Sequence, residues 1–91
     1  MEFEWDPEKA AGNLRKHKVS FNDAATVFGD SLGTTAIDPD HSADEHRFIT
    51  VGLSRGGRLL IVAHSDRNGR IRIISARKLN QRERKIYEET R

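Results

Sequence analysis

The sequence predicts an α+β fold: a small antiparallel β-sheet with two N-terminal helices on one face and a C-terminal helix at its edge. Three observations predict it. Apolar residues recur at helical spacing up to Gly29, the pattern becomes strand-like from Leu32 to Arg77, and a charged amphipathic segment, NQRERKIYEET, follows. Helices with one apolar side and a sheet with one apolar face need each other as cover.

The elements follow in order. Phe3-Glu4-Trp5 reads as a short edge strand. Asp6-Pro7-Glu8 is a helix start, with an N-cap acceptor, proline at the first helical position and an acid in the first turn. That helix runs from Pro7 to about His17, with Ala10, Leu14 and His17 on one side. A second start lies at Ser20, with Asp23 completing an approximate capping box. Phe21, Ala25 and Phe28 line one side of this short helix, and Gly29 ends it.

Strands are expected near Gly33–Ile37, Arg47–Ser54, Arg58–His64 and Arg70–Arg77. The Arg55-Gly56-Gly57 and Arg67-Asn68-Gly69 connections suit hairpin loops, so the last three strands form an antiparallel meander. Asp38–Glu45 is polar and contains proline, which marks a loop. Asn80 caps the final helix while Glu83, three residues on, reaches back to it.

With 91 residues, a single domain with a small core is expected. There is no cysteine, which removes disulfides, thiolate nucleophiles and cysteine zinc sites. No apolar run reaches the length of a membrane span or a signal-peptide core, so a cytoplasmic protein without membrane contact is the expectation. His41, Asp40 and Asp44 lack a diagnostic metal-ligand spacing, and neither a metal nor another cofactor is expected.

The net charge of +2 conceals a segregation. Residues 1–45 hold four Lys/Arg against ten Asp/Glu, and residues 46–91 hold twelve against four. The two halves therefore carry −6 and +8, and ten of the twelve cations in the second half are arginine. Arginine matches two phosphate oxygens at once, so a polyanion or an acidic protein is the expected partner. The strand RIRIISAR alternates arginine with isoleucine, which gives it one cationic face and one apolar face. It ends on Arg77 at the sheet margin, where a guanidinium can meet an anionic ligand.

Three segments, FEWDPEKAAGNLRKHKVSFNDAATVF (3–28), DEHRFITVG (44–52) and RIRIISARKLNQRERKIYEE (70–89), together resemble the BrnT family of type II toxin–antitoxin toxins. The resemblance implies a RelE/ParE-like fold and a ribonuclease that stops translation. It also implies a DNA-binding antitoxin of the BrnA type, through which alone operator DNA is contacted. The sequence departs from relatives at His46, where an acid is common, and at His64, where a hydroxyl residue is common.

A metal-free ribonuclease needs a base for the ribose 2′-OH, cations for the charge building on phosphorus, and an acid for the leaving 5′-oxygen. Arg77 is the first candidate for the transition-state contact; its bland alternative is an ion pair with Glu83. Arg47 begins a strand and is placed to bind phosphate. Glu45, beside it, is the candidate carboxylate. His64 is a candidate acid or base, against a structural histidine at a strand end. Arg72 is five residues from Arg77, so in an unbulged strand the two face opposite sides. Arg72, Lys9 and Lys16 are the RNA-binding candidates, Lys9 and Lys16 lying with Asn13 near one helical face. His17 reads as a partner for the carbonyls at the end of its helix. Trp5 and Tyr87 read as packing residues. A non-catalytic basic module that binds nucleic acid or an antitoxin is the alternative reading, and nothing favours a third, a gyrase poison.

Overall fold

The structure is a computed structural model that describes residues 1–39 and 46–89. Helix α1 spans Pro7–His17, and the Asp6 carboxylate accepts the Glu8 amide at its start, 2.8 Å away. Lys18, in the left-handed region at φ 60°, ends it by donating its amide to the Leu14 carbonyl. Helix α2, Phe21–Ala25, starts at Ser20, whose hydroxyl accepts the Asp23 amide at 3.0 Å, and continues as a 3-10 turn over Thr26–Gly29. Thus the start signals at Asp6 and Ser20 act as the sequence implies.

Five strands form one sheet in the order β1-β5-β4-β3-β2: β1 Glu2–Glu4, β2 Thr34–Ile37, β3 Arg47–Leu53, β4 Leu59–Arg67 and β5 Arg70–Lys78. Strands β2 to β5 pair antiparallel, but β1 runs parallel to β5. The sheet is therefore mixed, where the sequence suggested an antiparallel one. A tight hairpin dictates antiparallel pairing only between strands adjacent in the chain. Both helices and three strands separate β1 from β5, so no such constraint acts on them. Strand β4 also runs three residues beyond the expected His64, to Arg67. Its turn consists of Asn68 and Gly69 alone, at φ 51° and 79°, the two-residue geometry whose twist matches the flanking strands.

One side of the sheet carries Leu60, Val62, Ile73 and Ala76, fully buried against Val19, Phe21, Ala24 and Val27. Ile73 and Ala76 are three residues apart, yet both enter this core. A bulge reconciles them: Ala63 pairs with Ser75, while the next residue, His64, pairs with Ile73. The additional residue in β5, Ile74, reverses the alternation at that point.

The buried stripe of α1 differs from the expected one. Asn13 is buried, whereas Leu14 is half exposed. The Asn13 amide donates to the carbonyls of Val19 and Ala76 at 2.9 and 2.8 Å, and its oxygen accepts the Ala76 amide at 3.1 Å. Asn13 thus serves β5 as a strand neighbour beyond the point where β1 stops, and it fixes α1 against the sheet edge. Helix α3, Gln81–Glu89, does not lie at the edge as expected. Its residues Glu83, Ile86 and Tyr87 lie over Val51 and Ile61, on the side opposite the core. Tyr87 is buried there, in the docking role read from the sequence.

Candidate nucleic-acid interface on the open sheet face

The bulge decides where the arginines go. Cross-strand partners share a face, so Arg47, Ser65, Arg72 and Glu4 form one row across β3, β4, β5 and β1. This row lies on the side opposite the core, with Arg67 and Arg70 beyond it at the hairpin. Val51, Ile61 and Arg77 form a second row on the same side. Arg72 and Arg77 therefore face the same way, contrary to the parity of an unbulged strand. The rows are four β4 residues apart, about 13 Å at the usual strand rise. Between them Ile49, Ala63 and Ser75 make a small, mostly apolar floor.

A cleft of about 280 Å³ opens at the Arg77 end, lined by His17, Ile49, Ile61, Ala63, Ser75, Ala76 and Arg77. Arg77 is held in place by Glu83. Its two terminal nitrogens donate to the two carboxylate oxygens at 2.8 and 3.0 Å. These bonds raise the guanidinium pKa further, so Arg77 remains a cation. The ion pair that was the bland alternative is thus present, and its side chains retain 42% and 31% exposure, so solvent and ligand reach it.

Glu83 also accepts the Asn80 amide at 2.9 Å, while Asn80 accepts the Glu83 amide at 2.8 Å. This is the capping box expected from sequence, and it makes Glu83 the joint between α3 and the arginine. The Arg77 hydrogen bonds and the Asn80 amide hold the Glu83 carboxyl down to about 2 from its ordinary 4.5. A depressed carboxyl contributes stability that is present above its unfolded value and lost as pH falls toward the folded one. Glu83→Gln is expected to cost about 1 kcal/mol at neutral pH, an amount limited by solvent screening of an exposed pair. It should also flatten the loss of stability between pH 4.5 and about 2. Urea unfolding of both proteins across that range measures this, and parallel curves would contradict it.

The other candidates are placed elsewhere or alongside. Arg72 pairs with Glu4 at 2.8 Å, both about three-quarters buried. Arg47 lies in the same row, half buried. Lys9 and Lys16 are exposed on α1, away from the cleft lining. Glu45 lies outside the described residues, as do His41, Asp40 and Asp44. His64 is not brought to Arg77: it lies on the core side, 4% exposed, between the rings of Phe28 and Phe48. Its Nε2 meets the Thr50 hydroxyl at 2.7 Å, and Nδ1 has no partner among the described residues. Burial pushes its pKa below the ordinary histidine value, against an opposing pull from Asp66. These contacts are those expected of the alternative reading, a histidine packed at a strand end.

Not every arginine of the basic half is available to a ligand. Arg58 donates to the Lys18 carbonyl at 2.8 Å and to Asp23 at 3.1 Å, tying β4 to the turn between the helices. Trp5 packs edge-on against Phe21 at 5.9 Å and does not offer a stacking platform. Sequence reading missed His17 as a member of the cleft. The signal was its spacing from Asn13, one helical turn earlier on the same side.

Comparison with known proteins matches this architecture. Residues 5–83 match the family described as ribonuclease toxin, BrnT, of type II toxin–antitoxin systems. The fold is similar to the crystal structure of the Brucella abortus ribonuclease toxin BrnT, with a TM-score of 0.66 at 24% identity. That similarity covers 89% of this chain and 99% of the other. No curated protein sequence matches. Because the family match spans most of the chain, from Trp5 through the Glu83 that holds Arg77, the chain belongs to the BrnT family of ribonuclease toxins of type II toxin–antitoxin systems.

Proposed function

We propose that the part of this sheet face not covered by α3 binds RNA and that cleavage takes place in the cleft beside Arg77, without a metal ion. The observation that carries this reading is that Arg47, Arg67, Arg70, Arg72 and Arg77 share one face, the β5 bulge bringing Arg70 and Arg72 onto the side of Arg77. Two cationic ends flanking a shallow apolar floor suit a single strand whose phosphates meet arginine while a base lies on the floor.

In this reading the scissile phosphate takes over the Arg77 fork from Glu83. The guanidinium then neutralises the charge that builds on the phosphorane oxygens, the service a metal supplies in other nucleases. Internal attack by the ribose 2′-OH yields a 2′,3′-cyclic phosphate and a free 5′-hydroxyl. Arg47 and Arg72 hold a flanking phosphate, Lys9 and Lys16 guide the approaching strand, and Glu45, two residues before Arg47 in the sequence, is the candidate carboxylate. His64, on the opposite side of the sheet, supports the strand and takes no part.

The wider expectations form part of the same proposal: one domain of RelE/ParE-like type, acting in the cytoplasm, stops translation by cutting RNA. A BrnA-like antitoxin neutralises it and mediates any operator contact, with the basic face as the electrostatic attraction for an acidic partner. The test is cleavage of a short RNA by the purified protein, with and without EDTA, and with analysis of the product ends. Cleavage that survives chelation and leaves cyclic phosphate supports the reading. Binding of RNA without cleavage would favour the non-catalytic module instead.

A further inference from the structure

We propose that His17 is a catalytic residue of this cleft, taking the proton from the ribose 2′-OH as the 2′-oxygen attacks phosphorus. The proposal rests on the RNA-cleaving reading of the cleft and adds to it the base that Arg77 cannot supply. In the step, the O2′–P bond forms and the P–O5′ bond breaks. The 2′ proton passes to the imidazole, and the departing 5′-oxygen is protonated by solvent.

Geometry singles out His17. Asn13 fixes α1 to the main chain of Ala76, and His17 lies one turn further along the same side of the helix. It thereby reaches past the edge of β5 and lines the cleft with Ser75 and Arg77. It is half buried, so one side packs while the other meets the cleft. Of the three described histidines, His64 is sealed in the core and His46 is exposed at the start of β3, away from the cleft lining. Glu83 is engaged at both oxygens by Arg77, and once the phosphate has displaced it the carboxylate is still held by the Asn80 amide at the start of α3. The charged groups at hand among the described residues are Arg77, which lines the same cleft, Glu83, which is bound to Arg77, and the exposed chain neighbours Lys16 and Lys18. Histidine is the side chain whose ordinary titration suits proton transfer near neutral pH.

The experiment compares RNA cleavage by the full-length wild type, His17→Ala and His17→Gln across the pH range, with thermal midpoints measured in parallel. His17→Ala is expected to lower the rate about 100-fold or more, with the midpoint little changed. The shape of the pH–rate profile should change in both variants. Added imidazole should restore part of the activity of His17→Ala, a rescue that a merely structural role would not show. If the variants cleave like the wild type, or lose activity without imidazole rescue and with the pH profile unchanged in shape, the proposal fails while the ribonuclease reading stands. If the wild type itself cleaves no RNA, both fail together.

Discussion

Arg77→Ala is expected to slow RNA cleavage by about two to three orders of magnitude, the usual consequence of removing a donor that stabilises transition-state charge. The fold should tolerate the change. Arg77 lies near the end of β5 with 42% of its side chain exposed, and among the described residues its ion pair is with the comparably exposed Glu83. Such pairs contribute about 0–1 kcal/mol. Glu83 retains the Asn80 amide as a partner when the guanidinium is gone, so α3 keeps its cap. The rate and the thermal midpoint therefore separate cleanly. Equal cleavage by the two proteins would remove Arg77 from the site, and a collapse of the midpoint would show that its role is structural. Arg77→Lys should recover little of the rate, since an ammonium cannot present the planar fork that bridges two phosphate oxygens.

Asn13→Ala is expected to have the largest effect on stability. The side chain is 8% exposed and makes three hydrogen bonds to main-chain groups of Val19 and Ala76. Truncation leaves those groups without partners at the edge of the core, at about 1–3 kcal/mol each before relaxation and water entry. A total of about 3–5 kcal/mol is a large part of what a small domain possesses. The midpoint should fall by roughly 15 °C or more, given about 4–8 °C per kcal/mol at this size. Asn13→Asp should not rescue it, because a carboxylate cannot donate to the two carbonyls. A midpoint within a few degrees of wild type would show that water or an adjacent group replaces the amide. Loss of Asn13 also releases the end of α1 that carries His17, so stability and activity are coupled here. At Arg77 they are separate.

The contrast between these residues shows how much of the fold and the site was legible in the sequence. The helix starts were legible, since Asp6, Ser20 and the Asn80–Glu83 box depend on contacts within a few residues, but the Asp23 carboxylate turns to Gly56 and Arg58 and does not complete a box at Ser20. The Asn68-Gly69 turn was equally local, although its two-residue length, and with it the end of β4, became clear only from the pairing of Arg67 with Arg70. The parallel direction of β1 was not legible, because no turn joins it to β5. The bulge at Ile74 was hidden for a different reason: an isoleucine run fits a regular strand as well as a bulged one, and only the partner strand reveals the shift. That one residue moves Arg72 onto the face of Arg77 and so determines the shape of the candidate site. Asn13 escaped notice because a polar residue inside a helix ordinarily faces solvent. Its placement turned the helix enough to expose Leu14 and bring His17 into the cleft.

The central claim is that arginine, not a metal, serves a reaction in which the RNA supplies its own nucleophile. It is tested most directly by a short RNA carrying a single 2′-deoxy substitution at the mapped cut site, assayed beside the unmodified RNA in excess EDTA. Full cleavage of the unmodified strand, with a 2′,3′-cyclic phosphate end, and no cleavage at the deoxy position are the expected results. Cleavage at the deoxy position would show instead that water is the nucleophile, and activity lost in EDTA but restored by magnesium or manganese would show that a metal is required; either result would overturn the metal-free, internal-attack mechanism.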